Sequence, residues 1–348
     1  MKILVIQQKM IGDVLTSSIL FEALRKEFPE AELHYLIYPH TIPVVENNPH
    51  IDRIIPFDTT RSFYSYIREV KNSKYHAVID VYAIPITALI TGLSGAKFRI
   101  SYEKWYTRPF CTHLFSQNIE AQTPAGASIE KRLRLLSPLS SNFPAEIKPK
   151  IYLDKEELTQ AEQLLKTAEI SSEKPLYMIS VLGSSQNKTY PPKYLAELLD
   201  CIVEQREAEL LFNYIPSQKE DAERLFQLCN PFTKKSIHLQ IFGKSLREFI
   251  SLTSQCDALI GNEGGAVNIA KALNIPTFAI FSPQIPKENW NSYEDGINHT
   301  SVHLKDFYPD AFDGYTDEDV AKKASQFYEL LKPKLIFANL KNFTEKHP

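Results

Sequence analysis

The chain of 348 residues carries 39 lysines and arginines against 42 aspartates and glutamates, a net charge of −3, with 43% hydrophobic and 23% charged residues. That balance excludes collagen-like, coiled-coil and disordered classes and offers no basic excess for displacing the counterions of a nucleic acid. The length predicts two domains, each large enough to bury its own core.

The N-terminus has an apolar run at 3–6 followed by polar Gln7-Gln8-Lys9, too short for a signal peptide. It reads as a strand over 3–6, a loop closing at Gly12, a helix over 13–28 (Val14, Leu15, Ile19, Leu20, Leu24) and a strand over 32–38. A strand over 75–81 and a helix ending at Gly95 repeat the pattern. The apolar stretch 81–93 is broken by Pro85 and falls short of the roughly 20 residues of a membrane span. Residues 100–150 mix aromatic and basic side chains around a helix over 128–136.

Beyond Pro144 and Pro149 a second alternation begins with a charged amphipathic helix over 154–168. Strands are expected over 176–181, 209–214, 237–241, 258–260 and 277–281, and helices over 192–207, 217–228, 245–255 and 266–273. A helix over 317–331 and a polar tail close the chain. Short buried strands alternating with helices imply parallel sheets covered on both faces. The expectation is an α/β fold of two doubly wound, Rossmann-like halves facing a central cleft: 1–155, 156–332, and a tail over 333–348.

Cys111, Cys201, Cys229 and Cys256 form no CxxC pair, and the nine histidines give no HExxH, which points to a reducing compartment and no metal centre. Ligands of such sheets bind beyond the carboxyl ends of the strands, which directs attention to loops 7–13, 182–191, 242–245 and 261–268. The first has one glycine and no GxGxxG fingerprint, so a nicotinamide or flavin reading loses ground. Its Asp13 is either a general base or a helix-capping carboxylate. The second, Gly183-Ser184-Ser185-Gln186-Asn187-Lys188, suits a phosphate through two hydroxyls and one cation, or is a plain solvated turn. The last, Gly261-Asn262-Glu263-Gly264-Gly265, lets backbone approach a phosphate closely, or is a tight turn capped by Asn262 or Glu263. Together these loops read as a nucleotide site on the second half.

The chain resembles the bacterial heptosyltransferases of the GT-B superfamily, which move heptose from ADP-heptose onto the lipopolysaccharide inner core. The resemblance rests on Ile11-Gly12-Asp13-Val14-Leu15, on Lys188-Thr189-Tyr190-Pro191, and on Ser245-Leu246 opening a helix. It rests also on Gly261-Asn262-Glu263-Gly264-Gly265 leading into Ala270-Lys271-Ala272-Leu273 and Ile275-Pro276-Thr277. By that resemblance Asp13 is the general base, and the reaction is a single inverting displacement with no metal or other cofactor. Lys188, with Ser184 and Ser185 before it, contacts the donor diphosphate. Glu220 falls near the ribose, and the backbone at Lys244 near the adenine, where it is equally readable as a linker before Ser245. The family's motif of Asp, Thr or Ser, Gly and a later His becomes Glu263, Gly264, Gly265 and Asn268 here. A donor other than ADP-heptose is the alternative this raises, and a non-catalytic nucleotide-sugar binder is a further one.

The resemblance also implies a lipid-linked anionic saccharide acceptor. Gly12, Arg61, Arg99 and Arg108 are the candidate contacts in the first half, with Arg68, Lys97, Lys104, Arg132 and Arg134 as further counter-charges or ordinary surface charge. The aromatic and basic stretch 102–115 suits lipid headgroups or is a packed loop. The Trp290 region, 284–293, is a candidate lining of the sugar pocket. The implied place is cytoplasmic, with peripheral contact at the inner face of the inner membrane.

Overall fold

The apolar run at 3–6 becomes the central strand of a parallel sheet, its four side chains fully buried. The computed structural model describes residues 1–348, the side chain of Asn289 excepted. It divides into two compact units, residues 1–152 and 153–348.

The first unit runs β1 (Lys2–Ile6), α1 (Ile11–Ser17), α2 (Ile19–Glu27), β2 (Glu32–Ile37), β3 (Arg53–Pro56), α3 (Phe63–Asn72), β4 (Ala77–Asp80), α4 (Pro85–Leu93), β5 (Phe98–Tyr102), β6 (His113–Phe115) and α5 (Ala127–Arg134). All its strands are parallel in the order β3-β2-β1-β4-β5-β6. The order reverses direction between β1 and β4, where Ile6 pairs with Asp80. The helix expected over 13–28 is two helices: Ser18 turns its hydroxyl onto Leu15 O at 2.7 Å and ends α1 while opening α2.

The second unit runs α6 (Lys155–Thr167), β7 (Leu176–Ser180), α7 (Pro192–Arg206), β8 (Glu209–Asn213), α8 (Lys219–Leu228), α9 (Pro231–Lys235), α10 (Leu246–Thr253), β9 (Ala258–Asn262), α11 (Gly265–Ala272), β10 (Thr277–Ile280), α12 (Lys287–Trp290), β11 (His299–Val302), α13 (Leu304–Phe307), α14 (Asp317–Lys322), α15 (Ala324–Tyr328) and α16 (Pro333–Lys346). Its sheet is also parallel, in the order β11-β10-β9-β7-β8, with the reversal between β7 and β9.

Three expectations fail here. The segment 237–241 contributes a single bridge, Ile237 to Leu210. A turn from Ile241 N to His238 O at 3.0 Å carries it away from the sheet edge. The helix expected over 317–331 is interrupted at Lys323, whose φ of −101° and ψ of 10° separate α14 from α15. The tail over 333–348 is α16, which packs on α7 and buries Ile336, Leu340 and Phe343.

Candidate functional site

In doubly wound sheets the crevice lies beyond the carboxyl ends of the strands where the order reverses. In the first unit this edge lies where β1 leads into α1 and β4 into α4. Asp13 is the third residue of α1, not its cap; the flanking residue is Met10, whose N–H reaches Asp13 Oδ2 only at 3.5 Å. Asp13 Oδ1 instead accepts from Arg132 Nη2 at 2.7 Å. Arg132 is 3% exposed, so it is not the surface counter-charge the sequence offered.

Burial surrounds this pair with neutral hydroxyls. The Tyr35 hydroxyl donates to Val14 O at 2.8 Å and is raised by burial, and burial pushes the Tyr102 hydroxyl up to about 12. Among the described residues the Tyr102 hydroxyl has no hydrogen-bond partner. Asp80 closes β4 beside β1: burial raises its carboxyl to about 7, and Ala83 N–H donates to one oxygen at 2.9 Å. No sequence motif marked Asp80.

The other acceptor-side candidates are engaged locally. Gly12 O accepts from Thr16 Oγ1 at 2.8 Å. Arg61 pairs with Glu69 at 2.7 Å and lies over the Tyr66 ring at 4.4 Å. Arg99 donates to Phe110 O and Ala96 O, each at 2.8 Å, which makes it a clamp within the fold. Arg108 pairs with Glu103 at 2.8 Å and remains largely exposed. Beside it Trp105 is 83% exposed, on a loop that the Tyr106 hydroxyl ties to Ala83 O at 2.9 Å.

In the second unit the loops after β7 and β9 are joined by Asn262. Its Oδ1 accepts from Tyr190 N at 2.6 Å, while Nδ2 donates to Ser180 O at 2.9 Å and Val181 O at 2.8 Å. Asn262 therefore does not cap α11, and neither does Glu263; the flanking residue is Gly264, with φ 148° and ψ −157°. That conformation is open essentially to glycine alone. Gly261, at φ +130°, lets β9 approach β7: a Cβ there would stand 2.5 Å from Ser180 O.

Ser184 and Ser185 line a pocket of about 590 Å³ with Gln218, Asp221, Arg224 and Tyr328. Glu220 does not line it; Asp221, one position on, does. The α15 residues Ser325 and Tyr328 were not legible as site residues, because no motif marks that helix. Burial raises the Glu263 carboxyl, and the charge of Lys188 opposes that rise. Gly264 has open space where a Cβ would point. Asn268 turns its Nδ2 back toward Gly264 O at 3.3 Å. Lys244 lies apart: it lines a separate pocket between α6 and α10, and its N–H donates to Glu248 at 2.9 Å. In the Trp290 region, Lys271 anchors Asn291 and Ser292 at 2.7 and 2.6 Å, and burial lowers its ammonium to about 8.

Two parallel, doubly wound units give the GT-B type of α/β fold. The profile of glycosyltransferase family 9 (heptosyltransferase) matches residues 63–309. The chain belongs to that family and is a glycosyltransferase. Lipopolysaccharide heptosyltransferase 1 of Campylobacter coli is 23% identical over 292 residues, covering 81% of this chain and 84% of that one. The family 9 glycosyl transferase of Veillonella parvula superposes with a TM-score of 0.82 at 18% identity, over 99% of this chain and 97% of that one. An Escherichia coli heptosyltransferase solved with ADP-2-deoxy-2-fluoro heptose superposes with a TM-score of 0.65 at 14% identity, over 94% and 99%.

Proposed function

We propose that the protein transfers a heptose from ADP-heptose to a lipopolysaccharide inner-core acceptor, by a single inverting displacement and without a metal ion. The observation that carries the reading is Asp13 at the carboxyl edge of β1, held by a buried arginine with its second oxygen joined only to a distant N–H. Family membership supports the heptosyl class, and the E. coli relative bound to an ADP-heptose analogue supports the donor.

In this mechanism the second unit holds the donor. Ser184 and Ser185 offer hydroxyls, Lys188 a cation, and Gly264-Gly265 the N–H groups that open α11. The acceptor oxygen attacks the anomeric carbon and its proton passes to Asp13. The anomeric carbon–oxygen bond breaks, and the electron pair leaves on the diphosphate of ADP. Lys188 and the α11 amides stabilise that charge in place of a divalent cation.

A second reading changes the donor. It is favoured by Gly264, which leaves open space where the family carries a hydroxyl, and by Asn268, which is spent within its own helix. Peripheral contact with an anionic bilayer is supported by exposed Trp105 between Lys104 and Arg108. No helix of the described residues is long and apolar enough to cross a membrane.

Calorimetry in EDTA with ADP, UDP, GDP and ADP-heptose tests the donor. Selective binding of ADP and ADP-heptose is expected. Preference for UDP or GDP discards the heptose donor, and binding that returns only with Mg²⁺ discards metal independence.

A further inference from the structure

The guanidinium of Arg132 makes four hydrogen bonds inside the first unit. Nε donates to Ser17 Oγ at 2.9 Å, Nη1 to Ser128 O at 2.7 Å and Oγ at 2.9 Å, and Nη2 to Asp13 Oδ1 at 2.7 Å. These use four of the five N–H groups that an arginine owns. A buried side chain fixed at both α1 and its own helix α5 cannot swing out to meet a substrate. The bond it makes to Asp13 spans 119 residues of sequence, so no local helix-capping rule produces it.

We propose that Arg132 is the positioning residue of the base: it fixes the Asp13 rotamer, and so presents Oδ2 to the acceptor hydroxyl. The proposal rests on the reading of Asp13 as the base. Three observations support it. The contact is to one carboxylate oxygen, Oδ1, which leaves Oδ2 outside the guanidinium fork. Among the described residues Oδ2 accepts a hydrogen bond only from the Met10 N–H, at 3.5 Å. The guanidinium is anchored by Ser17 and Ser128 independently of Asp13, so it stays in place when the carboxylate takes up a proton.

The other groups that feel the Asp13 charge are Tyr35 from β2, Tyr82 after β4, Tyr102 ending β5 and Lys131 on α5. The three tyrosines are all raised by burial and remain neutral through the working pH range. Burial lowers Lys131, with Arg132 and Lys104 adding to that effect. Arg132 is thus the permanent cation in direct contact with the carboxylate.

The test uses the whole chain and two variants, Arg132→Gln and Arg132→Lys, with melting curves and ADP affinity as controls. With ADP-heptose and a lipopolysaccharide core acceptor, Arg132→Gln is expected to lose at least about tenfold in kcat while the donor KM and ADP affinity stay unchanged. In Arg132→Lys the charge remains but the fork is lost, so kcat again falls at least about tenfold with donor KM unchanged. Should the glutamine variant not fold, the lysine variant decides: wild-type kcat overturns the proposal.

A folded Arg132→Gln with wild-type kcat, or with a loss carried wholly by donor KM, overturns it as well. Failure of the underlying reading looks different. If Asp13→Asn keeps its turnover, Asp13 is not the base. If Asp13→Asn is dead while the Arg132 variants turn over as wild type, only the positioning role falls.

Discussion

Replacing Asn262 by alanine removes three hydrogen bonds at once. Its side chain is fully buried and joins Tyr190 N, Ser180 O and Val181 O at 2.6–2.9 Å, splicing the end of β9 to the end of β7 and to the loop that carries Lys188. Each lost bond costs about 1 kcal/mol net, and each buried backbone group left without water costs more, so a loss of about 3–5 kcal/mol is expected. For a unit of 150–250 residues, 1 kcal/mol lowers Tm by about 2–4 °C, which places the variant at least about 6 °C below wild type. Asn262→Asp keeps the acceptor for Tyr190 N–H but sets a carboxylate against two carbonyls, and is expected to be no better. The assay is thermal unfolding followed by ADP titration at a temperature where both proteins are folded. The splice also holds 183–190 in register, so ADP affinity falls with stability. An unchanged Tm would refute the hydrogen-bond argument, and a lowered Tm with wild-type ADP affinity would refute the link from splice to donor site.

Asp80 makes stability depend on pH. Its carboxyl is raised in the fold to about 7 from an ordinary 3.8, so its contribution is present below pH 4 and lost as pH rises through 7. The loss is on the order of 4 kcal/mol, and melts of wild type and Asp80→Asn from pH 4.5 to 8 should converge at the acid end and separate at the alkaline end; parallel curves would refute this. Gly264→Ala meets no neighbour but forces a side chain into φ 148°, at a cost of about 1–3 kcal/mol, with weaker ADP binding by calorimetry. Lys188→Ala is expected to weaken ADP more than adenosine if, as proposed, Lys188 is the cation that meets the diphosphate; equal losses on both would move Lys188 out of that role.

The fold was legible where burial is two-sided. The apolar runs of β1, β7 and β9 sit at the centres of their sheets, and periodicity alone located them. The strands that were missed are short, lie at or toward the edges, or carry polar residues: Arg53–Pro56, Phe98–Tyr102, His113–Phe115 and His299–Val302. Pairing to a neighbour that sequence periodicity does not name decides such segments. The 237–241 segment erred in the other direction, since its apolar residues face the core from a turn and not from a ladder.

Asp13, Lys188 and the glycine loop stood out as candidates because they fall in strand-to-helix turns at the carboxyl edge of a parallel sheet. Arg132 was legible only as one cation among many. Nothing in its local sequence distinguishes a buried arginine on α5 from a solvated one, and its partner lies 119 residues away. Asp221 and Arg224 were missed because a shift of one residue on α8 turns a side chain by about 100°, which a motif placed at Glu220 does not resolve. Lys244 was placed near the adenine by the family resemblance, with a linker before Ser245 as the equal alternative; Ser245 does cap α10, accepting from Glu248 N–H.

The central claim is metal-free heptosyl transfer with Asp13 as base, and one measurement addresses it. Wild type and Asp13→Asn are each incubated with ADP-heptose and a lipopolysaccharide core acceptor in EDTA, with ADP release, product anomer and ADP-heptose affinity followed together. Wild type should turn over with inverted configuration, while Asp13→Asn loses at least about a hundredfold in kcat and keeps its donor affinity. Near wild-type turnover by Asp13→Asn, or a product of retained configuration, would contradict the account.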